Sequence, residues 1–276
     1  MGGQPILGIL RARFKIYTRY PGWMIMNIIV PIVITMMPVF LAFSVAGSMT
    51  NAGNIFYKYT GTRDMVFYII VGATVWSLSN GILWDFGMWL YEEMEAGTLE
   101  QVLLTPVSVF ELLLGSVLYT LLISFINSML GLVITGALFG YLNLIFSIEF
   151  VMALGIILLG FIPLFGMSIF FGAIVLKIKE PWSFINVLTA FLVFISGVFY
   201  PITILPPLAR FIALLFPTTL QIADARAIML HIEYVFSPTV DILILLSYAL
   251  IWPIIGAMMF SRAKKELKEK GSIGAP

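Results

Sequence analysis

Along the chain, apolar residues gather into runs long enough to cross a bilayer, and short polar or proline-marked stretches separate them. A spanning helix needs about 20 mostly apolar residues, because each residue advances about 1.5 Å through a hydrocarbon core about 30 Å thick. Runs of that kind occupy 23–46, 65–84, 112–140, 150–176, 184–200 and 239–261, which predicts six transmembrane helices in an all-α protein. The first run imitates a secretory leader, since basic residues precede it and Ser44-Val45-Ala46 looks like a small-residue cleavage site. Its apolar core exceeds the roughly 7–15 residues of a leader's hydrophobic region, so it is assigned as the first span.

Two stretches outside the runs carry their own pattern. Before the first span, Leu7, Leu10, Phe14 and Tyr17 recur at three- and four-residue spacing, with Arg11, Lys15 and Arg19 on the opposite face. This predicts an amphipathic helix on the membrane surface within residues 1–22, whose basic face can meet anionic headgroups or a cytoplasmic partner. After the fifth span, LARFIALLFPTTLQIADARAIML, residues 208–230, is apolar enough to suggest a seventh crossing. Pro217 interrupts it, Asp224, Arg226 and His231 load its second half, and Pro201, Pro206 and Pro207 open the region. Two short re-entrant helices on the outer face are therefore expected between spans five and six. The organisation expected is a single transmembrane domain over 1–276: an interface helix at 1–22, a bundle at 23–261 and a basic tail at 262–276.

Composition agrees with this pattern. The 276 residues are 61% hydrophobic and 11% charged, with a mean hydropathy of +1.06, against roughly 45–50% apolar and 25% charged in soluble domains. A net charge of +1 gives no reason to expect nucleic acid as a partner. With no cysteine and a single histidine, His231, thiol nucleophiles, disulfides and Cys/His zinc sites are excluded.

Charge distribution sets the orientation. Arg11, Arg13, Lys15 and Arg19 precede span one, Lys177 and Lys179 separate spans four and five, and Arg262, Lys264, Lys265, Lys268 and Lys270 follow span six. Basic flanks favour the cytoplasm, and six spans place both termini there, in the cell membrane. A seventh span would expel the basic tail.

The stretch EEMEAGTLEQVLLTPVSVFELLLG, residues 92–115, holds five carboxylates and no basic residue between spans two and three. Gly97 can end a helix in a left-handed turn, and Thr98 with Gln101 forms a capping box that starts another. Thr105-Pro106 stops that helix, so it covers about one or two turns from Leu99 to Leu104, and Ser108 with Glu111 caps the start of span three. A capped, charged turn and a docking element for a soluble partner both fit this punctuation.

These residues resemble a known family. GTLEQVLLTPVSVFELLLG, together with ISGVFYPITILPPLARFIALLFPTTLQIADARAIML at 195–230, is similar to the membrane subunit of type-2 ABC exporters over nearly the whole chain. The resemblance implies that the first motif is a coupling helix docking into a groove of an ATP-binding subunit. Glu92, Glu93, Glu95 and Glu100 would then meet basic residues there, and Leu99, Leu103 and Leu104 would supply the buried contact, with Gly97, Thr98, Thr105 and Pro106 fixing the turns. It also implies outer-face re-entrant helices marked by Gly197, Tyr200, Pro201, Pro206, Pro207 and Pro217. Two ATP-binding subunits would pair with two membrane subunits, expected as a homodimer.

The chain has no Gly-x-x-x-x-Gly-Lys-Ser/Thr phosphate loop, and Gly-Lys does not occur at all. Bound ATP and Mg are therefore expected on the partner and no cofactor on this chain, which is expected to be non-catalytic. His231 next to Glu233 reads as a surface residue, with no nucleophile and base pair anywhere.

Polar residues within spans are the candidates for a transport path: Asn27, Asn80, Ser124 and Asn127, which could equally hydrogen-bond between helices. Asp85, Glu111, Glu149 and Asp241 fall at span edges, which disfavours a proton-coupled secondary transporter, the alternative of another class. Gly136 and Gly140 form a GxxxG pair suited to close helix packing. The function expected is an ATP-driven exporter of a hydrophobic or amphipathic, drug-like or lipid-like compound, with a lipid-linked polysaccharide as the alternative cargo.

Overall fold

The computed structural model describes residues 4–97, 109–178 and 181–269, and every regular element in them is helical. The N-terminal helix α1 (Gln4–Arg19) ends at Tyr20, and Pro21, whose missing N–H costs nothing at a helix start, opens α2 (Pro21–Ala46). Pro31 and Pro38 lie inside α2, and Thr35 Oγ1 donates to the Pro31 carbonyl at 2.6 Å. Gly47, at φ 74°, terminates α2, and Ser48 caps α3 (Met49–Thr60) by accepting from the Asn51 N–H at 3.1 Å. Helix α3 was not expected: it carries no long apolar run, and its boundaries are set by the Ser48 cap and by Gly61 at φ 75°.

Helix α4 (Met65–Glu95) and helix α5 (Val109–Phe139) have 31 residues each. At about 46 Å, α4 outruns the hydrocarbon core. Span two was expected to end at residue 84, where hydropathy falls, yet the backbone stays helical for another eleven positions. Position 85 thus lies inside the helix, because helix formation needs no apolar side chains and the backbone can stay helical past the end of an apolar run.

Span four is broken. A short α6 (Leu142–Ile145) leads to α7 (Ile148–Leu159), capped by Ser147 through the Phe150 N–H at 3.3 Å, and then to α8 (Phe161–Val175). Gln221 Nε2 donates to the Ile157 carbonyl at the break, 2.8 Å away, and a Cβ on Gly160 would sit 2.1 Å from that nitrogen.

The fifth expected span, 184–200, is the short helix α9 (Pro181–Ile195), which at 15 residues reaches about 22 Å. Gly197 at φ 69° stops it. The chain continues through a 3-10 turn (Ile202–Ile204), α10 (Pro207–Leu214) and α11 (Pro217–Leu230), which meet at a 95° bend, and ends in α12 (Pro238–Glu269). Five described helices or helix pairs in line are long and apolar enough to cross a membrane, or six if the bent α10–α11 pair counts as one.

Helix α4 is the central pillar. Its most apolar window is 72% buried, against 11% for α2 and for α12, so those two helices lie at the periphery of the chain. The α4 residues Phe67, Ile70 and Leu78 are enclosed by α5, α7 and α11, and Ile82 and Leu83 by α8 and α9. Helices α8 and α12 pack backbone to backbone: a Cβ on Gly256 would lie 2.2 Å from the Gly166 carbonyl oxygen, and one on Gly166 would lie 2.1 Å from Pro253 N. Small residues let helices approach this closely. The expected GxxxG pair acts otherwise, since Gly140 at φ 79° ends α5 and Gly136 packs against Ile145 in the following turn.

The pairing of elements separates two ends. At one, Gly87 of α4 lies against Val175 and Ile185, and Lys177 Nζ is 2.8 Å from Glu266 Oε2. At the other, the end of α3 approaches Ile232, and α11 packs against α4 and α7.

Candidate functional site

The end of α4 carries the acidic residues. Glu92 and Glu95 are exposed and Glu93 is half-buried; Tyr91 Oη donates to Glu95 Oε1 at 2.5 Å, one helical turn away. The Ala96 N–H closes the last turn on the Glu92 carbonyl at 2.9 Å, and Gly97 takes φ 66°, turning the chain away from the helix axis. Thr98, Leu99, Glu100, Leu103, Leu104, Thr105 and Pro106 lie outside the described residues.

The amphipathic helix α1 lies along α5. Arg13 stands 5.5 Å over the ring of Tyr119, and Tyr17 Oη donates to Asn127 Oδ1 at 3.0 Å. Leu10, Arg13 and Tyr17 are half-buried, whereas Leu7 and Phe14 are each 52% exposed. The apolar stripe expected to face lipid as a whole is therefore divided, one edge against protein and the other free to enter a bilayer.

Three of the four polar path candidates converge on the seam between α4 and α5. A Cβ on Gly81 would be 2.0 Å from Ser124 Oγ, so α4 touches α5 there. Asn80 is half-buried with Oδ1 enclosed and unpartnered. Asn127, 9% exposed, lines a narrow cleft between α2, α4 and α5. Asn27, half-buried, sits one turn before Pro31 on the stripe of α2 that faces this cleft. The seam's hydroxyls bond back to their own helices: Thr74 to Ile70 O at 2.8 Å, Ser79 to Val75 O at 2.9 Å, Thr120 to Ser116 O at 3.2 Å and Thr135 to Gly131 O at 2.7 Å.

At the opposite end, the bent α10–α11 element is pinned by a residue that the sequence offered only as a charge against a seventh span. Arg226 is 2% exposed, and its guanidinium reaches three backbone carbonyls: Tyr68 O from Nε at 2.9 Å, Gly197 O from Nη1 at 2.8 Å, and Val198 O from Nη2. The same group lies 3.7 Å from the centroid of the Tyr68 ring. Its signal in the sequence was the presence of a cation in an otherwise apolar helix, which demands satisfied donors when buried. Tyr200 Oη donates to the Phe194 carbonyl, tying Pro201 and the turn back to α9, and Thr219 Oγ1 donates to the Ala213 carbonyl at 2.6 Å across the α10–α11 bend. Pro206 precedes α10, and Pro207 and Pro217 open α10 and α11.

Two carboxyl groups also meet there. Asp224 of α11 and Asp241, in the first turn of α12, are 1% and 0% exposed and lie in side-chain contact. Burial, and then these two acids, raise the phenol of the nearby Tyr234 above its ordinary range. His231 is exposed, as expected, and ends α11 at φ 52°. Among the described residues no cluster of three or more His, Cys, Asp or Glu could hold a metal.

Long apolar helices about a buried central one, with a bent helix pair packed on one end, define a multi-pass helical membrane protein. The family model for the ABC-2 type transporter matches residues 5–230, and the chain belongs to that family. It is a transmembrane permease component of an ABC transporter, in which ATPase activity lies in a separate, ATP-binding subunit. Comparison with curated proteins gives no match.

Proposed function

We propose that the chain moves a hydrophobic or amphipathic compound, drug-like or lipid-like, out of the cytoplasm or inner leaflet by alternating access. The observation that carries this reading is the end of α4: a helix of 31 residues delivers three glutamates to a left-handed turn at Gly97, immediately before the segment with the coupling motif. Glu92, Glu93, Glu95 and Glu100 then face basic residues of the ATP-binding subunit, and Leu99, Leu103 and Leu104 fill its groove, with Thr98, Thr105 and Pro106 bounding the stub. Complementary charge of this kind sets on-rate and partner choice more than affinity. ATP binding on the partner, with Mg, closes its dimer and shifts the spans outward. Such coupling requires the partner to distinguish the two states by a few kcal/mol.

In this scheme two copies of the chain pair with two ATP-binding subunits. The protein sits in the plasma membrane with both termini in the cytoplasm, an orientation supported by the basic flanks and by Lys177 meeting Glu266 at one end of the bundle. The division into an interface helix at 1–22, a bundle at 23–261 and a basic tail at 262–276 belongs to the same proposal.

The test is a detergent pull-down from native membranes, probed for a co-purifying ATP-binding polypeptide, with a Glu95→Arg/Glu100→Arg variant beside the wild type. Capture by the wild type and loss in the folded variant is the expected result. Absence of any ATPase with the wild type, under conditions that preserve complexes, removes the docking role.

A further inference from the structure

We infer that the cleft between α2, α4 and α5 binds the uncharged, hydroxyl-bearing headgroup of an amphiphile. The inference rests on the transporter reading and narrows its substrate class. The cleft is lined by Thr35, Thr74, Ser77, Asn127, Ser128 and Thr135 among apolar neighbours, and no charged residue lines it. Its free room is about 20 Å³, enough for one water or one hydroxyl group in this conformation.

The hydrogen-bond inventory defines what fits. The hydroxyl protons of Thr35, Thr74 and Thr135 are committed to the carbonyls of Pro31, Ile70 and Gly131 at 2.6, 2.8 and 2.7 Å. Their oxygens keep lone pairs and can only accept. Ser128 is 5% exposed, and its Oγ has no hydrogen-bond partner although it lines the cleft. A buried, unsatisfied hydroxyl of this kind is unfavourable unless a ligand group or a water fills it. Asn127 receives Tyr17 on Oδ1, which leaves one lone pair on that oxygen and the two N–H donors of Nδ2. The site thus offers several acceptors with a few donors, and its complement is a group that both donates and accepts.

Charge excludes a phosphate or carboxylate headgroup, since burying an anion against hydroxyls alone leaves it uncompensated. The flanks add the second half of the ligand. Ile34 of α2 and Ile134 of α5, next to the cleft on their helices, are 53% and 41% exposed. A polar recess with apolar lips matches a molecule whose hydroxyl enters between helices while its hydrocarbon stays in the bilayer.

The experiment places the full chain, without an ATPase, in phosphatidylcholine nanodiscs with a diacylglycerol carrying a diazirine on one acyl chain. Labelled peptides are mapped after photolysis. The expected result is labelling concentrated on the exposed residues beside the cleft, within 29–37 of α2 and 126–134 of α5, competed by unlabelled diacylglycerol and not by its 3-deoxy analogue, which adds no bulk and lacks the hydroxyl. Ser128→Ala, which removes one oxygen, should lower labelling about three- to tenfold, as one hydrogen bond would, and Ser128→Thr should restore it. Equal competition by the deoxy analogue, or labelling confined to helices other than α2 and α5, overturns the inference without any appeal to a variant's folding. Adding the ATP-binding partner and ATP then separates two sources of the ligand: loss of label during turnover marks a cargo, and unchanged label marks a resident lipid held in the same site. Because the binding step uses no ATPase, its failure is distinguishable from failure of the docking proposal.

Discussion

The guanidinium of Arg226 binds Tyr68 twice, donating to its carbonyl oxygen at 2.9 Å and lying 3.7 Å from the centroid of its ring. Both contacts survive removal of the phenol oxygen. Tyr68→Phe should therefore leave thermal stability in detergent close to wild type. Arg226→Lys keeps the charge and loses the planar fork that spans three carbonyls, so it should destabilise strongly, on the order of 3 kcal/mol. Tryptophan fluorescence during heating reads both. A Tyr68→Phe defect as large as that of Arg226→Lys would contradict the backbone-centred account.

Gly72 makes this arrangement possible, because a Cβ there would fall 1.9 Å from Arg226 Nη2 and 2.3 Å from the Val198 carbonyl oxygen. Gly72→Ala should match the loss seen for Arg226→Lys. Combined with it, the second change should cost little more, since the two act on one contact set.

Gly166 and Gly256 hold α8 and α12 in backbone contact. Gly166→Ala has backbone atoms of Trp252 and Pro253 in its way, and no side chain there can move aside. The expected cost is at least about 1–3 kcal/mol, read as a lower unfolding temperature. Gly131→Ala is the control, with nothing within 4 Å of the added carbon.

At the break in span four, Gln221→Leu removes the donor to the Ile157 carbonyl and leaves that acceptor buried. A loss of about 1–3 kcal/mol is expected, with faster hydrogen exchange at the start of α8. Gly160→Ala should disturb the same place by displacing the Gln221 side chain.

Asp224 and Asp241 pose the opposite case, because two buried carboxyls in contact can hydrogen-bond only by holding a proton between them. Asp224→Asn supplies a permanent neutral donor. The variant should unfold at a higher temperature than the wild type, because an amide N–H can donate to Asp241, whereas the Asp224 oxygens have no hydrogen-bond partner in the wild type. Thermal unfolding in detergent at neutral pH checks this, and a lower unfolding temperature for the variant would contradict it.

Hydropathy located α2, α5 and α12 well, because a bilayer demands long apolar stretches and these helices leave most of their apolar length unburied by the rest of the chain. It misjudged elements governed by other forces. Helix α3 depends on the Ser48 cap and two left-handed glycines, and α4 persists to Glu95 past the fall in hydropathy with Gly87 packed against Val175 and Ile185. The break at Gly160 is set by Gln221, 61 positions away, which no local pattern reveals. The proline signals before α10 and α11 were legible since proline fixes φ wherever it stands. Arg226 was visible as an anomaly, but its partners are backbone carbonyls, which carry no residue-type signature. For the same reason the polar seam could be nominated from Asn80, Ser124 and Asn127, while the cleft between three helices could not.

Helix α4 binds the α10–α11 element through Tyr68 and ends in the acidic turn at Glu95, about 40 Å further along one uninterrupted rod. It is a lever with its two ends on opposite sides of the bundle. A tilt of about 10° about Tyr68 would sweep Glu95 through roughly 7 Å, from the rise of about 1.5 Å per residue, while leaving the pivot in place.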